Sequence, residues 1–299
     1  MKWAVVCIYL LGLCHIHLRG RARLPLGRQM FDHSTFMAPL NMFLHFFSKV
    51  PATPYLKTSD FADLAPLQQN WQVIREEAEN LLKLQKIKAA EQNNDAGFNS
   101  FFKTGWKRFY LEWYGASHPS AELLCPRTVA LLRAIPSVKA AMFAELPPGA
   151  KLNPHRDPFA GSLRYHLGLA TPNDDRCFIE VDGQRYSWRD GEAVMFDETY
   201  LHWAANESDG DRVILFCDIE RPMRFRWAQA VNRWLGKNMM AAASSPNESG
   251  DQTGVISKLF QVSWVMGNYR RRYKAWNKTA YKATKFGLIA AVVALIVWA

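Results

Sequence analysis

The segment Leu163-Arg-Tyr165-His-Leu167-Gly-Leu169 sets large apolar side chains at every second position, with Arg164, His166 and Gly168 between them. A period of two is that of a β-strand with one face buried, and no helix is compatible with it. The same texture runs on both sides. Residues 141–146 form a short apolar run stopped by Pro147-Pro148-Gly149. Residues 177–181 and 184–188 flank Asp182-Gly183, a strong hairpin turn, and residues 193–196 and 212–217 add two more apolar runs. Many short strands with Gly and Pro turns imply two sheets packed face to face, as a sandwich or a double-sheet barrel.

The residues ahead of this β region read differently. Trp71, Ile74, Ala78, Leu81 and Leu82 recur at helical spacing behind Asp63 and Pro66, and Val129, Leu131 and Leu132 follow Pro126 in a second short helix ended near Pro136. Between them, residues 98–115 are dense in aromatics and read as strands or as an ordered loop over a site. The expected fold class is therefore α+β, with a helical part over 60–140 and a β core over 141–222 inside one domain, 60–240. Residues 241–254, AAASSPNESGDQTG, read as a polar linker.

Five scattered cysteines without a CxxC pair exclude a disulfide framework and a structural zinc knuckle, and suit a reducing compartment. The net charge of +10 is concentrated. Residues 19–28, 221–240 and 255–285 hold four, five and eight Lys or Arg and no acidic residue, whereas the remainder is acidic on balance. No helix-turn-helix, RNP or finger pattern accompanies these margins, so nucleic acid is not the expected partner. The apolar ends explain them better. Residues 1–18 read as an uncleaved N-terminal transmembrane anchor, because the apolar run meets Arg19, Arg21 and Arg23 rather than a small-residue cleavage site. A basic juxtamembrane segment, 19–59, follows. Residues 255–285 read as a basic amphipathic segment leading into a C-terminal anchor, 286–299. Both basic flanks lie on the side of the body, which places it in the cytoplasm against an anionic phospholipid surface.

The chemistry falls between 155 and 212. His155 and Asp157 stand two apart, on one face of extended backbone, and His202 follows the run 193–196. Two imidazoles and one carboxylate make the facial set of non-haem Fe(II) oxygenases, which leaves metal positions open for a bidentate 2-oxo acid and O2. A dicarboxylate also needs a cation at its far end. Arg212 starts a strand ten residues after His202, and Arg164 and His166 share the face opposite the leucines.

The segments HRDPFAGSLRYHLGL (155–169), MFDETYLHWAANES (195–208) and RVILFCDIERP (212–222) together resemble the aspartyl/asparaginyl β-hydroxylase family of iron- and 2-oxoglutarate-dependent oxygenases, most closely its bacterial lipid A acyl-chain hydroxylases. The latter likeness extends to 19–41, 49–78 and the apolar ends. The resemblance implies a jelly-roll, or double-stranded β-helix, core. It implies Fe(II) on His155, Asp157 and His202, and 2-oxoglutarate held at its distal carboxylate by Arg212 and at its other end by Arg164 and His166. Ala144 stands where the family has a serine. The implied reaction is hydroxylation at C2 of a secondary acyl chain of lipid A, at the cytoplasmic side of a bacterial inner membrane, with Arg221, Arg224 and Arg226 meeting the lipid A phosphates. The alternatives are hydroxylation of Asp or Asn side chains in protein, and a non-catalytic membrane-tethered binding module. The intact His-x-Asp…His…Arg set argues against the last.

Overall fold

A computed structural model describes residues 2–30, 32–90 and 94–298. Ten strands form two antiparallel sheets. They are β1 (Tyr55–Leu56), β2 (Lys107–Trp113), β3 (Val138–Leu146), β4 (Lys151–His155), β5 (Ser162–Ala170), β6 (Cys177–Val181), β7 (Gln184–Ser187), β8 (Ala193–Phe196), β9 (His202–Asn206) and β10 (Arg212–Glu220). The larger sheet runs β1-β8-β5-β10-β3-β2 and the smaller β4-β9-β6-β7. Strands β3 to β10 alternate between the sheets in the pattern of a jelly roll, the expected core.

Strand alternation divides the larger sheet into two faces. Leu163, Tyr165, Leu167 and Leu169 of β5, with Val213, Leu215, Cys217 and Ile219 of β10, form one core with Leu67, Ile74, Leu81, Val129 and Leu132. Those last residues belong to helices, chiefly Trp71–Lys83 and Pro126–Arg133, so a helical layer rather than the second sheet covers the apolar face. The other face carries Ala144, Ile214 and Phe216, which pack with Ile179, Val181 and Ala204 from the smaller sheet and with Trp188 just after β7. Arg164, His166 and Arg212 lie on this inner face and line a cavity between the sheets. The hairpin is as expected: Asp182 and Gly183 both adopt positive φ, 53° and 80°, and Val181 pairs with Gln184. Gly168 is needed for close approach, since a Cβ there would lie 2.0 Å from the Arg189 carbonyl oxygen.

The two expected transmembrane anchors are not upheld. Lys2–Leu18 is a helix of 17 residues, about 26 Å long and short of a bilayer core. It is also docked: Gly12 and Ile16 are buried, and a Cβ on Gly12 would lie 2.8 Å from the Pro39 nitrogen in helix Ala38–Phe46. At the other end, 286–298 continue a helix that begins at Lys278, so Lys278, Lys282 and Lys285 share it with the apolar run. Among the described residues no helix is long and apolar enough to cross a membrane. Met1 and Ala299, the outermost residues of the expected anchors, lie outside the described residues.

Two basic margins also have interior roles. Arg221, expected to meet a lipid phosphate, is 1% exposed. It pairs with the buried Asp197 at 3.0 Å and donates to the Ser162 carbonyl at 3.2 Å. Arg19 reaches the same carboxylate at 2.5 Å, while the backbone N–H groups of Arg21 and Ala22 donate to Asp182. Residues 19–22 thus strap onto the β core. The segment 241–254 is likewise packed rather than free: the Asn247 side chain bonds both backbone groups of Tyr110, and Asp251 accepts from Ser120 Oγ at 2.6 Å.

Burial alone would raise the Asp197 carboxyl, but Arg221 and Arg19 outweigh it and hold it well below the usual carboxylate range. Its stabilising contribution is therefore complete above the unfolded value near ~4 and is lost as pH falls toward the depressed folded value. Asp197→Ala strands two buried guanidinium groups and is expected to cost about 3–5 kcal/mol in urea unfolding at pH 7. The gap from the unsubstituted protein narrows as the same titration is repeated in acid.

Candidate metal centre and cosubstrate pocket

Strand register brings the first two candidate ligands together. His155 closes β4, His202 opens β9, and the two are direct cross-strand partners with ring centroids 4.2 Å apart. Asp157, two residues beyond His155, turns back through a backbone hydrogen bond from its N–H to the Glu198 carbonyl at 3.0 Å. Its Oδ1 lies 3.5 Å from His155 Nε2 and 3.9 Å from His202 Nε2. One ligand atom from each residue falls within 4.8 Å of the others, a spacing that suits a single metal ion.

The surroundings fix which atoms are available. His155 Nδ1 contacts the Asn153 carbonyl at 2.7 Å, and His202 Nδ1 the Tyr200 carbonyl at 2.9 Å. A carbonyl only accepts, so each Nδ1 carries the proton and each Nε2 presents its lone pair to the centre. Burial lowers both imidazoles, His202 to about 3, so they stay neutral. Asp157 is ionised: burial opposes this, but the Arg164 guanidinium, followed by His202 and His155, holds the carboxyl below its usual range.

Arg164 does more than line the wall. Its Nη2 meets Asp157 Oδ2 at 2.7 Å and also the Glu198 carboxylate, and its Nε meets Asp218 Oδ1 at 3.0 Å. Three carboxylates thus share one guanidinium, which sits 3.6 Å from the Phe216 ring centroid. Burial pushes Glu198 and Asp218 up, and mutual repulsion among the carboxylates adds to it. The negative charge is therefore kept on Asp157. This leaves Arg164, expected to contact the cosubstrate, holding Asp157 with its Oδ1 toward the two histidines.

Arg212 is the opposite case. It is 2% exposed and makes no ion pair among the described residues. Its guanidinium lies 4.4 Å from the Trp188 ring centroid, and burial lowers its pKa to about 10. Its Nε, Trp188 Nε1 and both ring nitrogens of His166 are buried without hydrogen-bond partners. Such groups are costly unless something enters to meet them, and these residues line the cavity that holds the histidines, with Arg212, Trp188 and one nitrogen of the neutral His166 as donors. Arg212 and His166, both expected at a cosubstrate site, thus line one cavity, and the guanidinium with the indole N–H suits an anionic group. Ala144 offers no hydroxyl in the same wall. Trp188 is not marked in the sequence, because it is one of eleven Trp and stands among the polar residues Ser187, Arg189 and Asp190.

The aromatic stretch 98–115 proves to be both strand and cover. Lys107–Trp113 is β2, while Phe98, Phe101 and Trp106 line the cavity, and the Phe101 ring lies 4.8 Å from that of His155. With Leu152 and Trp203 they give the cavity an apolar wall.

The sequence profile of the aspartyl/asparaginyl beta-hydroxylases matches residues 68–222. An ornithine lipid ester-linked acyl 2-hydroxylase from Rhizobium tropici is 34% identical over 180 residues, which cover 60% of this chain and 64% of that protein. Aspartate beta-hydroxylase domain-containing protein 2 from Homo sapiens is 32% identical over 221 residues, 71% of this chain and 57% of that protein. The chain thus spans less than two thirds of either relative. Among solved structures, a Pseudomonas putida prolyl-4-hydroxylase aligns over 52% of this chain and 88% of its own, with 17% identity and a TM-score of 0.34.

Two substitutions separate the parts of the pocket. Arg212→Ala is expected to weaken 2-oxoglutarate binding by roughly 30- to 1000-fold, the loss of one partner of a desolvated charge pair, with divalent-metal affinity unchanged. Arg164→Lys is expected to lower metal affinity about 10- to 100-fold by freeing Asp157, with a smaller effect on 2-oxoglutarate. Calorimetric titration of Mn(II), then of 2-oxoglutarate into the Mn(II)-loaded protein, reads both.

Proposed function

Because the chain belongs to the aspartyl/asparaginyl β-hydroxylase family, we propose that it is an Fe(II)- and 2-oxoglutarate-dependent dioxygenase that hydroxylates C2 of an ester-linked acyl chain of a membrane lipid, with lipid A as substrate. The observation that carries this reading is the pairing of two sites in one cavity. The His155, Asp157 and His202 ligand atoms converge at one end, and the unpartnered Arg212, His166 and Trp188 donors line the same space.

In this reading Fe(II) is held by Nε2 of His155 and His202 and by Oδ1 of Asp157. The metal, with O2 and the 2-oxo acid, supplies the oxidising power for an unactivated C–H bond. The protein's share is binding and exclusion. Arg212 takes the distal carboxylate as a planar two-pronged donor, and His166 and Trp188 donate N–H groups along its length. Arg164 keeps Asp157 ionised and aimed. Phe98, Phe101, Leu152 and Trp203 keep bulk water from the centre and offer an apolar wall to a hydrocarbon chain.

Support for a lipid substrate comes from this apolar wall and from the Rhizobium relative, whose name specifies position 2 of an ester-linked acyl chain. Residence at an anionic membrane surface is part of this proposal and is supported by the exposed cations Arg224, Arg226 and Lys237. Hydroxylation of Asp or Asn side chains is the second reading, favoured by the name of the human relative.

Mass spectrometry of lipids from cells making the chain, against cells making His202→Ala, tests it. The expected result is one added oxygen on a lipid A acyl chain, absent with His202→Ala. A gain on ornithine lipid instead changes the lipid and keeps the reaction. No gain on any acyl lipid, with an added oxygen on protein Asp or Asn, overturns the lipid reading.

A further inference from the structure

Helix Arg226–Leu235 turns Ala228, Asn232 and Leu235 inward and Trp227, Val231 and Trp234 outward, at positions i, i+4 and i+7. Trp227 and Trp234 are 52% and 62% exposed. The aromatic surface does not stop there. Phe225 stacks on Trp227 with an interplanar angle of 9°, and Phe47 and Phe43 meet the same indole at 4.8 and 5.9 Å. Phe43 belongs to helix Ala38–Phe46, whose last residue, Phe46, is 71% exposed. That helix in turn carries the apolar helix Lys2–Leu18, which leaves Leu10, Leu11 and Trp3 in the open. Helices Arg226–Leu235 and Ala38–Phe46 are thus joined in one aromatic patch through Phe43, Phe47, Phe225 and Trp227, and the neighbouring cations Lys49, Arg224, Arg226 and Lys237 are exposed. Arg224 is held beside that patch by a 2.9 Å bond from its Nε to the Ser48 carbonyl.

The geometry points to this face as the surface by which the protein lies in one leaflet of an anionic bilayer, without spanning it. Three observations favour a bilayer over a protein partner. Exposed Trp and Phe backed by Lys and Arg are the composition of an interfacial helix, apolar rings entering the acyl boundary while cations stay at the headgroups. The segment 221–240 has no acidic residue, which complements anionic lipid. Helix Lys2–Leu18, packed on helix Ala38–Phe46 at Gly12, leaves Trp3, Leu10 and Leu11 exposed, and no described helix is long and apolar enough to span.

The face is rigidly tied to the candidate metal centre. Between the two N-terminal helices, His33 Nε2 meets the Arg156 carbonyl at 2.6 Å and Arg28 donates to the Pro154 carbonyl at 3.1 Å. Asn41, inside helix Ala38–Phe46, donates to the Pro158 carbonyl at 2.8 Å. The elements that would lie on lipid thus grip the very loop that carries His155 and Asp157. This inference deepens the lipid-hydroxylase reading and rests on it for its purpose, but its test does not use turnover.

The full chain is mixed with vesicles of phosphatidylcholine, or of phosphatidylcholine with phosphatidylglycerol, and flotation and amide exchange are measured. Helix Val255–Trp276 also exposes Leu259, Val262 and Trp264, so flotation by itself does not identify the face. Exchange does: it is expected to slow over 226–238 and 43–49 on adding anionic vesicles, and to stay unchanged at the 182–187 hairpin. Phe46→Ser with Trp234→Ser, both solvent-exposed, is expected to lower the vesicle partition coefficient about tenfold or more. Arg224→Gln with Arg226→Gln is expected to weaken binding to the anionic vesicles more than to the neutral ones. Unchanged exchange over 226–238 in a chain that floats overturns the proposal. So does a Phe46→Ser/Trp234→Ser protein that binds vesicles normally but loses self-association in sedimentation, which makes the face an interface between copies. If exchange and partition behave as expected and no lipid gains oxygen, the surface stands and the substrate reading fails.

Discussion

Charges set between two packed sheets are expensive unless they neutralise one another or meet a ligand, and this cost organises the interior of the protein. Arg164 and Arg212 illustrate the two solutions on neighbouring strands. Arg164 is surrounded by Asp157, Glu198 and Asp218, whereas Arg212 has an indole face and no carboxylate among the described residues. The first arrangement is closed and serves to hold a side chain. The second lacks an ion-pair partner among the described residues, and an anionic cosubstrate is what we propose supplies it. The cavity therefore has a finished end, at the histidines and Asp157, and a receptive end, at Arg212, His166 and Trp188.

The same principle explains the periphery. Asp197 is buried between Arg19 and Arg221, and this clamp ties the N-terminal strap, the end of β8 and the residues after β10 to one point. Basic residues that look in sequence like a coat for lipid are thereby divided into two populations. Those at the Asp197 clamp are structural. Those around Trp227 and Trp234 are exposed and stand beside aromatic rings, which is where an anionic surface gains both apolar burial and charge pairing.

The N-terminal helices link these features. They dock on one another through Gly12 and Pro39, and they hold the loop 154–158 through Arg28, His33 and Asn41. A loop that presents two ligands needs such support, because a small displacement of Asp157 separates its Oδ1 from the imidazoles. The docked arrangement also accounts for the failure of the N-terminal anchor as a span: a helix with a buried Gly and Ile face is a packing element of the body first.

Local pattern determined β3, β5, β6, β7, β8 and β10, the Asp182-Gly183 hairpin and the identity of His155, Asp157, His202 and Arg212, since alternation and ligand chemistry are properties of neighbouring residues; the short β4 and β9, which carry the histidines, show no such alternation. His155 and His202 are 47 residues apart, and only strand register decides that they face each other. The separate duties of Arg164 and Arg212 were not legible either. Both are arginines on the inner face of a strand, and the difference lies in carboxylates from β10, the 197–201 turn and Asp157, two residues after His155. Trp188 and the packing of 241–254 were hidden for the same reason: a polar segment reads as a linker until Tyr110, Ser120 and Arg108 supply its hydrogen-bond partners. Sequence fixes which side chains are able to bind metal, anion or lipid. Tertiary structure decides which of them are already satisfied, because burial and pairing depend on residues brought in from elsewhere in the chain.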